Sequence, residues 1–203
     1  MQLLFVVLLL SLSVFSVSAN SQKQTVLILG DSLTEGYGVE KDQTFPAVLE
    51  RLLQQQKKTG VRVYMAGIGG ATTASGLERL KYHLKDNPEI LVLALGGNDG
   101  LRGLKVKETK RNLRETLVFA KSKRLKVLLA GMKVPPNYGP DYAKDFEKMF
   151  VDLAREEKVN LMPFLLEGVA GEVQFNQEDG IHPNEKGHEV VAKNLLKYLE
   201  KLL

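Results

Sequence analysis

The 203-residue chain is long enough for one domain with a full hydrophobic core, and its 44% hydrophobic and 26% charged residues are those of an ordinary globular protein. Its 28 Lys and Arg against 24 Asp and Glu leave a surplus of +4 that reads as scattered along the sequence, so no nucleic-acid partner is expected. It has no Cys, which excludes a Cys nucleophile, a lipidated Cys and any disulfide.

Residues 3–10 are almost unbroken apolar sequence, and residues 11–18 alternate Ser with apolar side chains. Val17-Ser18-Ala19 has the small side chains of a cleavage site. Residues 1–19 therefore read as a signal peptide cut after Ala19, although no Lys or Arg precedes the apolar run; an uncleaved N-terminal anchor is the alternative. Export to the periplasm or outside the cell is expected. No stable membrane insertion is expected once the signal is removed. Residues 20–203 then form one domain, with no internal repeat, low-complexity tract or interdomain linker.

From residue 25 onward, short apolar runs alternate with helical patterns. The runs at 25–29, 61–66, 90–95, 126–132 and 160–163 are rich in Val, Ile and Leu and nearly continuous. Such runs suit parallel strands buried on both faces. Between them lie amphipathic stretches at 45–56, 73–84, 107–122, 142–157 and 185–203. Leu113, Leu117 and Ala120, for example, recur at helical spacing. The rhythm predicts a three-layer α/β/α sandwich on a five-stranded parallel sheet with flavodoxin-like order.

In an open α/β sheet, ligands bind beyond the carboxyl ends of the strands. Gly30-Asp31-Ser32-Leu33-Thr34 follows the first strand, Gly69-Gly70 the second, and Gly96-Gly97-Asn98-Asp99 the third. The segment 134–139 follows the fourth, and Asp179-Gly180-Ile181-His182-Pro183 lies near the far end of the chain. A serine hydroxyl is a weak nucleophile near neutral pH and needs a base whose tautomer is fixed by a third group. Ser32, His182 and Asp179 supply that set. Of the three histidines, His83 and His188 fall inside helical patterns and read as surface or half-buried helix residues. Acyl transfer also needs donors for the oxyanion. The Ser32 amide, the Gly70 amide and the Asn98 side chain are placed for this, with Gly97 allowing the turn that aims Asn98. Leu101, Leu104, Pro136 and Tyr138 are candidates to line an acyl groove. The Ser segment lacks the second Gly of Gly-x-Ser-x-Gly and stands near the N-terminus, which argues against the larger α/β-hydrolase fold.

These motifs resemble the SGNH (GDSL) hydrolase family, whose four naming residues are matched by Ser32, Gly70, Asn98 and His182. Gly96-Gly97-Asn98-Asp99-Gly100-Leu101-Arg102-Gly103 and Pro136-Asn137-Tyr138-Gly139 look like its periplasmic thioesterase, lysophospholipase and arylesterase subgroup. The resemblance implies hydrolysis of esters or thioesters of small or lipid acyl groups through an acyl-enzyme. It implies no metal and no organic cofactor, and a mobile loop after Leu101 that covers the acyl chain. Met65 and Ala71 depart from the family pattern, where Asn and Asp are usual. A monomer is expected, and no residue pattern marks a partner protein.

Three other readings use the same residues. A carbohydrate O-deacetylase would share the Ser-His-Asp set. Asp31, Asp99, Asp179 and His182 could gather around a divalent ion. Residues 30–34 could cradle a phosphate in a non-enzymatic binding module.

Overall fold

The computed structural model describes residues 24–203. The expected signal peptide, residues 1–19, lies outside the described residues. Five parallel strands are arranged in the order β2-β1-β3-β4-β5. They are β1 (Gln24–Gly30), β2 (Val61–Gly67), β3 (Ile90–Ala94), β4 (Lys126–Ala130) and β5 (Asn160–Met162). This is the flavodoxin-like three-layer sandwich that the sequence rhythm predicts.

Seven α-helices are described: α1 (Ser32–Glu35), α2 (Phe45–Gln55), α3 (Gly76–His83), α4 (Gly97–Leu101), α5 (Val106–Ser122), α6 (Pro140–Glu157) and α7 (Glu185–Leu199). α2 packs on α7, while α3 packs on α5 and α5 on α6. Helix starts follow local chemistry. Thr44 caps α2 through the Ala47 amide, with Pro46 in the first turn, where its missing N–H costs nothing. The Asn184 side chain caps α7 by accepting from the Gly187 amide at 3.1 Å. α1 and α4 are only four and five residues long. Neither is long enough to show helical periodicity, and the sequence reading passes over both.

Burial separates the central strands from the edge. Val26–Leu29 of β1 and all of β3 are buried, as a sheet covered on both faces requires. β2 departs from that expectation. It is an edge strand and leaves Arg62, Tyr64 and Met65 exposed. β4 stops at Ala130 rather than at 132, and beyond it Gly131 is bonded to the last residue of β5 and to the segment after it. Its amide donates to the Met162 carbonyl at 2.8 Å, and its carbonyl accepts from the Leu165 amide at 2.9 Å.

The C-terminal residues return to the amino edge of the sheet. Lys126, the first residue of β4, donates to the Leu202 carbonyl at 2.6 Å. Gln24 and Leu203 line one hollow there with Lys58 and Glu200. The opposite, carboxyl edge carries every candidate site segment.

Candidate active site

Ser32 stands two residues beyond the end of β1, at the first position of α1. Asp31 caps that short helix by accepting from the Leu33 amide at 3.1 Å. The tight turn lifts Ser32 out of the sheet and leaves its side chain half-buried. Its amide, at a helix start, has no intrahelical acceptor. Its Oγ lies 2.9 Å from His182 Nε2. His182 Nδ1 lies 2.6 Å from Asp179 Oδ2. The second Asp179 oxygen accepts the amides of Ile181 at 2.8 Å and His182 at 2.9 Å. The loop thus grips its own carboxylate before that carboxylate meets the ring.

Partial burial disfavours the Asp179 charge, but the two amides and the His182 ring outweigh it and hold the carboxyl at about 2. An ionised carboxylate only accepts hydrogen bonds. His182 Nδ1 must therefore carry the proton, and the Nε2 lone pair faces the Ser32 hydroxyl. This is the tautomer a general base needs.

Gly70 sits in the turn after β2 that is closed by Ala71 N–H to the Ile68 carbonyl at 3.1 Å. Its φ of +71° lies in the left-handed region, where glycine carries no side-chain penalty. Its amide finds no protein acceptor among the described residues. Its carbonyl accepts from Arg102 Nη2 at 2.9 Å. Asn98 lies in the first turn of α4. Its Nδ2 donates to the Ala71 carbonyl at 3.0 Å and reaches Asp31 Oδ2 only at 3.4 Å. The second hydrogen is thus weakly held. The turn that aims Asn98 uses Gly96, with φ of +125°, rather than Gly97, which is already helical.

Asp31 is 2% exposed. Burial raises its carboxyl to about 6, against the lowering effects of the Leu33 amide, His182 and Arg79. Asp99 has a different surrounding. Its buried carboxylate accepts from the Thr73 amide at 2.9 Å and the Thr73 hydroxyl at 2.5 Å, away from Asp179 and His182. Among the described residues no group of three or more His, Asp or Glu side chains could hold a metal ion.

The groove candidates converge in part. The Tyr138 hydroxyl donates to the Leu101 carbonyl at 2.6 Å. Leu101 is half-buried and Leu104 exposed. Pro136 opens a short 3-10 turn, Pro136–Tyr138, and its side chain lies outside the described residues. Three residues that the sequence reading passed over belong to this edge. The Tyr142 hydroxyl holds the Leu104 carbonyl at 2.8 Å. The Tyr37 ring stands 4.7 Å from the His182 ring. Gln177 donates to the carbonyls of Tyr37 at 2.7 Å and Pro183 at 2.9 Å, so it ties the His182 loop to the segment after α1. The two glycines flanking Tyr37 hint at a turn, but nothing in the sequence points Gln177 toward it.

His188 is not a surface or half-buried residue. It is 1% exposed, and its Nδ1 accepts the Phe45 amide at 3.1 Å, at the start of α2. Burial lowers it to about 4, so it is neutral near pH 7 and structural. His83 is half-buried and pairs with Asp86 at 3.1 Å.

A flavodoxin-like sandwich with a Ser–His–Asp hydrogen-bond chain at its carboxyl edge has the layout of a serine hydrolase. The chain belongs to the GDSL-like lipase/acylhydrolase family, whose pattern it matches over residues 28–190. It is 39% identical over 181 residues to esterase TesA of Pseudomonas aeruginosa, covering 89% of this chain and 90% of that one. It is also 39% identical over 180 residues to thioesterase 1/protease 1/lysophospholipase L1 of Escherichia coli K12, covering 88% and 85%. The crystal structure of TesA superposes with a TM-score of 0.85 at 39% identity, over 89% of this chain and 100% of the solved one.

Proposed function

We propose that this hydrolase cleaves carboxylic esters and acyl thioesters, including those of lipid acyl chains, through an acyl-enzyme on Ser32. The observation that carries the reading is the continuous chain from Ser32 Oγ to His182 at 2.9 Å and on to Asp179 at 2.6 Å. Ser32 Oγ attacks the acyl carbonyl as His182 Nε2 takes its proton. Asp179 holds the ring's tautomer and stabilises the imidazolium. The amides of Ser32 and Gly70 and the loosely held Nδ2 hydrogen of Asn98 receive the oxyanion. His182 then protonates the leaving alcohol or thiol. Water, deprotonated by His182, attacks the acyl-enzyme and releases the carboxylic acid.

The substrate classes rest on the names of the two relatives, an esterase and a thioesterase/lysophospholipase. The apolar residues Leu101 and Leu104, with Tyr138, suit an acyl chain. No residue with a metal or organic cofactor is needed for any step. Cleavage after Ala19 and export belong to the same proposal, on the small side chains of Val17-Ser18-Ala19 that follow the apolar run.

The test is turnover of p-nitrophenyl esters and acyl thioesters by wild type and Ser32→Ala, with a chelator present. Turnover that vanishes in the variant and ignores the chelator is expected. Turnover that survives in the variant would remove Ser32 from the role. A strong preference for acetyl over longer acyl groups would favour a carbohydrate deacetylase instead.

A further inference from the structure

The charge surplus is not scattered. Between Arg102 and Lys126 the chain carries ten Lys and Arg and two Glu, leaving 18 bases against 22 acids elsewhere. A surface hollow of about 520 Å³ lies in this stretch, and its lining is Lys105, Lys107, Glu108, Lys110, Arg111 and Arg114. These residues belong to the first half of α5 and the turn before it. Lys107, Lys110, Arg111 and Arg114 follow helical spacing, so like charges are neighbours, an arrangement that weakens a helix by itself.

Part of this charge is used inside the fold. Lys110 pairs with Glu156 at 2.8 Å, and Arg114 reaches both Glu156 and Glu157. The rest is not. Lys105 and Lys107 form no ion pair among the described residues, and Arg111 has only the exposed Glu115 at 4.0 Å. Nothing in the packing of α5 calls for these three charges, because the buried face of the helix is Thr109, Leu113, Thr116, Leu117 and Ala120.

The basic face adjoins the site. Leu104 immediately precedes Lys105 and is 38% exposed, and Arg102 is bonded to the Gly70 carbonyl. Around Ser32 the large exposed side chains are Tyr37 at 58%, Ile68 at 53% and Ile181 at 45%, an apolar set interrupted by the exposed carboxylates Glu35, Glu178 and Asp179. Ile68 stands beside the Gly70 turn, Ile181 beside His182, and Tyr37 against the His182 ring. A soluble polyanion would use the cations but not this collar. A bilayer interface uses both.

We infer that the basic face of Lys105, Lys107 and Arg111, together with the apolar collar at the mouth, docks the protein on an anionic phospholipid surface with Ser32 facing the lipid. Docking rests on the mouth at Ser32 being where substrate enters, as the proposed function has it, but it requires no turnover.

The test is co-sedimentation with vesicles of phosphatidylcholine alone and of phosphatidylcholine mixed with phosphatidylglycerol. Residues 20–203 serve for this, because the solved relative corresponds over its whole length to this folded part. Each basic side chain near an anionic surface contributes roughly fivefold in partition, so Lys105→Gln/Lys107→Gln/Arg111→Gln should lose on the order of 100-fold on the mixed vesicles. High salt should release the wild type. Hydrolysis of a soluble p-nitrophenyl ester should be unchanged in the triple variant. Ser32→Ala should bind vesicles like wild type, which separates failure of docking from failure of the catalytic assignment. Equal partition on both vesicle types, or partition untouched by the triple variant, would overturn the inference. Binding to duplex DNA with no gain on anionic vesicles would also overturn it and assign the face to nucleic acid.

Discussion

Replacing Asp179 by Asn isolates one link of the site. The side chain keeps its size, and its remaining oxygen can still accept the amides of Ile181 and His182. What changes is the group 2.6 Å from His182 Nδ1, which becomes an N–H donor. Two donors cannot face each other, so the ring must present its Nδ1 lone pair and move its proton to Nε2. That proton then points at Ser32 Oγ, 2.9 Å away, and the ring can no longer act as a base. The matching change in a Ser-His-Asp protease lowers kcat about 10⁴-fold, or about 5 kcal/mol in the barrier. The cost in stability is far smaller. The Asp179 carboxyl is held at about 2 rather than 3.8, but the side chain is 37% exposed. Solvent screening reduces that contribution to less than about 1 kcal/mol. Because the native pKa is depressed, the contribution is complete above the unfolded value and fades as pH falls through the native one. Steady-state hydrolysis of a p-nitrophenyl ester near neutral pH, with thermal melts beside it, should therefore show Asp179→Asn folded and nearly inactive. A kcat within about tenfold of wild type would mean that Asp179 does not set the tautomer of His182. A melt that collapses would mean that its role is structural.

Asn98→Ala should lower kcat by about 10²–10³ with little change in KM, the loss expected for one oxyanion donor; a near-normal kcat in steady-state assays would remove Asn98 from that role. Asp31→Asn should raise stability at pH 8 and leave it unchanged at pH 4. Its native carboxyl titrates at about 6 against 3.8, so the buried charge costs about 3 kcal/mol above pH 6 and nothing below the unfolded value. The same variant should lose activity, because its new amide group opposes the donor of Asn98; denaturant titrations at the two pH values and one rate assay check both halves. His188 works in the opposite direction. Its native pKa of about 4 lies below 6.5, so acidification from pH 7 to pH 4 should remove up to about 3 kcal/mol of stability. His188→Asn should flatten that part of the melting profile, and a wild-type profile already flat there would refute the assignment.

The layered fold was legible because β1 and β3 are apolar at nearly every position, and α5 repeats Leu113, Leu117 and Ala120 at helical spacing. The amphipathic stretches gave five helices within a few residues of their ends. α1 and α4 escaped notice because four or five residues cannot display a period of 3.6. Those two helices carry Ser32 and Asn98, so the site segments were found by residue type and strand position, not by secondary structure. The edge character of β2 was hidden because Val61, Val63, Tyr64 and Met65 look as apolar as a central strand. His188 shows a related limit. A histidine in a helix pattern does not reveal that it meets the Phe45 amide from 143 residues away. The basic face was missed because net charge was read over the whole chain, where acids outside α5 offset it.

The return of the C-terminus to the amino edge bears on how the protein can be handled. Gln24 and Leu203 line the same hollow, on the far side of the sheet from Ser32. Folded domains with neighbouring ends generally accept having those ends joined and the chain reopened elsewhere. A short linker from Leu203 to Gln24 would therefore produce a circular permutant whose new termini can be placed at a chosen surface turn. Immobilisation through Leu203 would leave the carboxyl edge, and everything that substrate meets, facing outward.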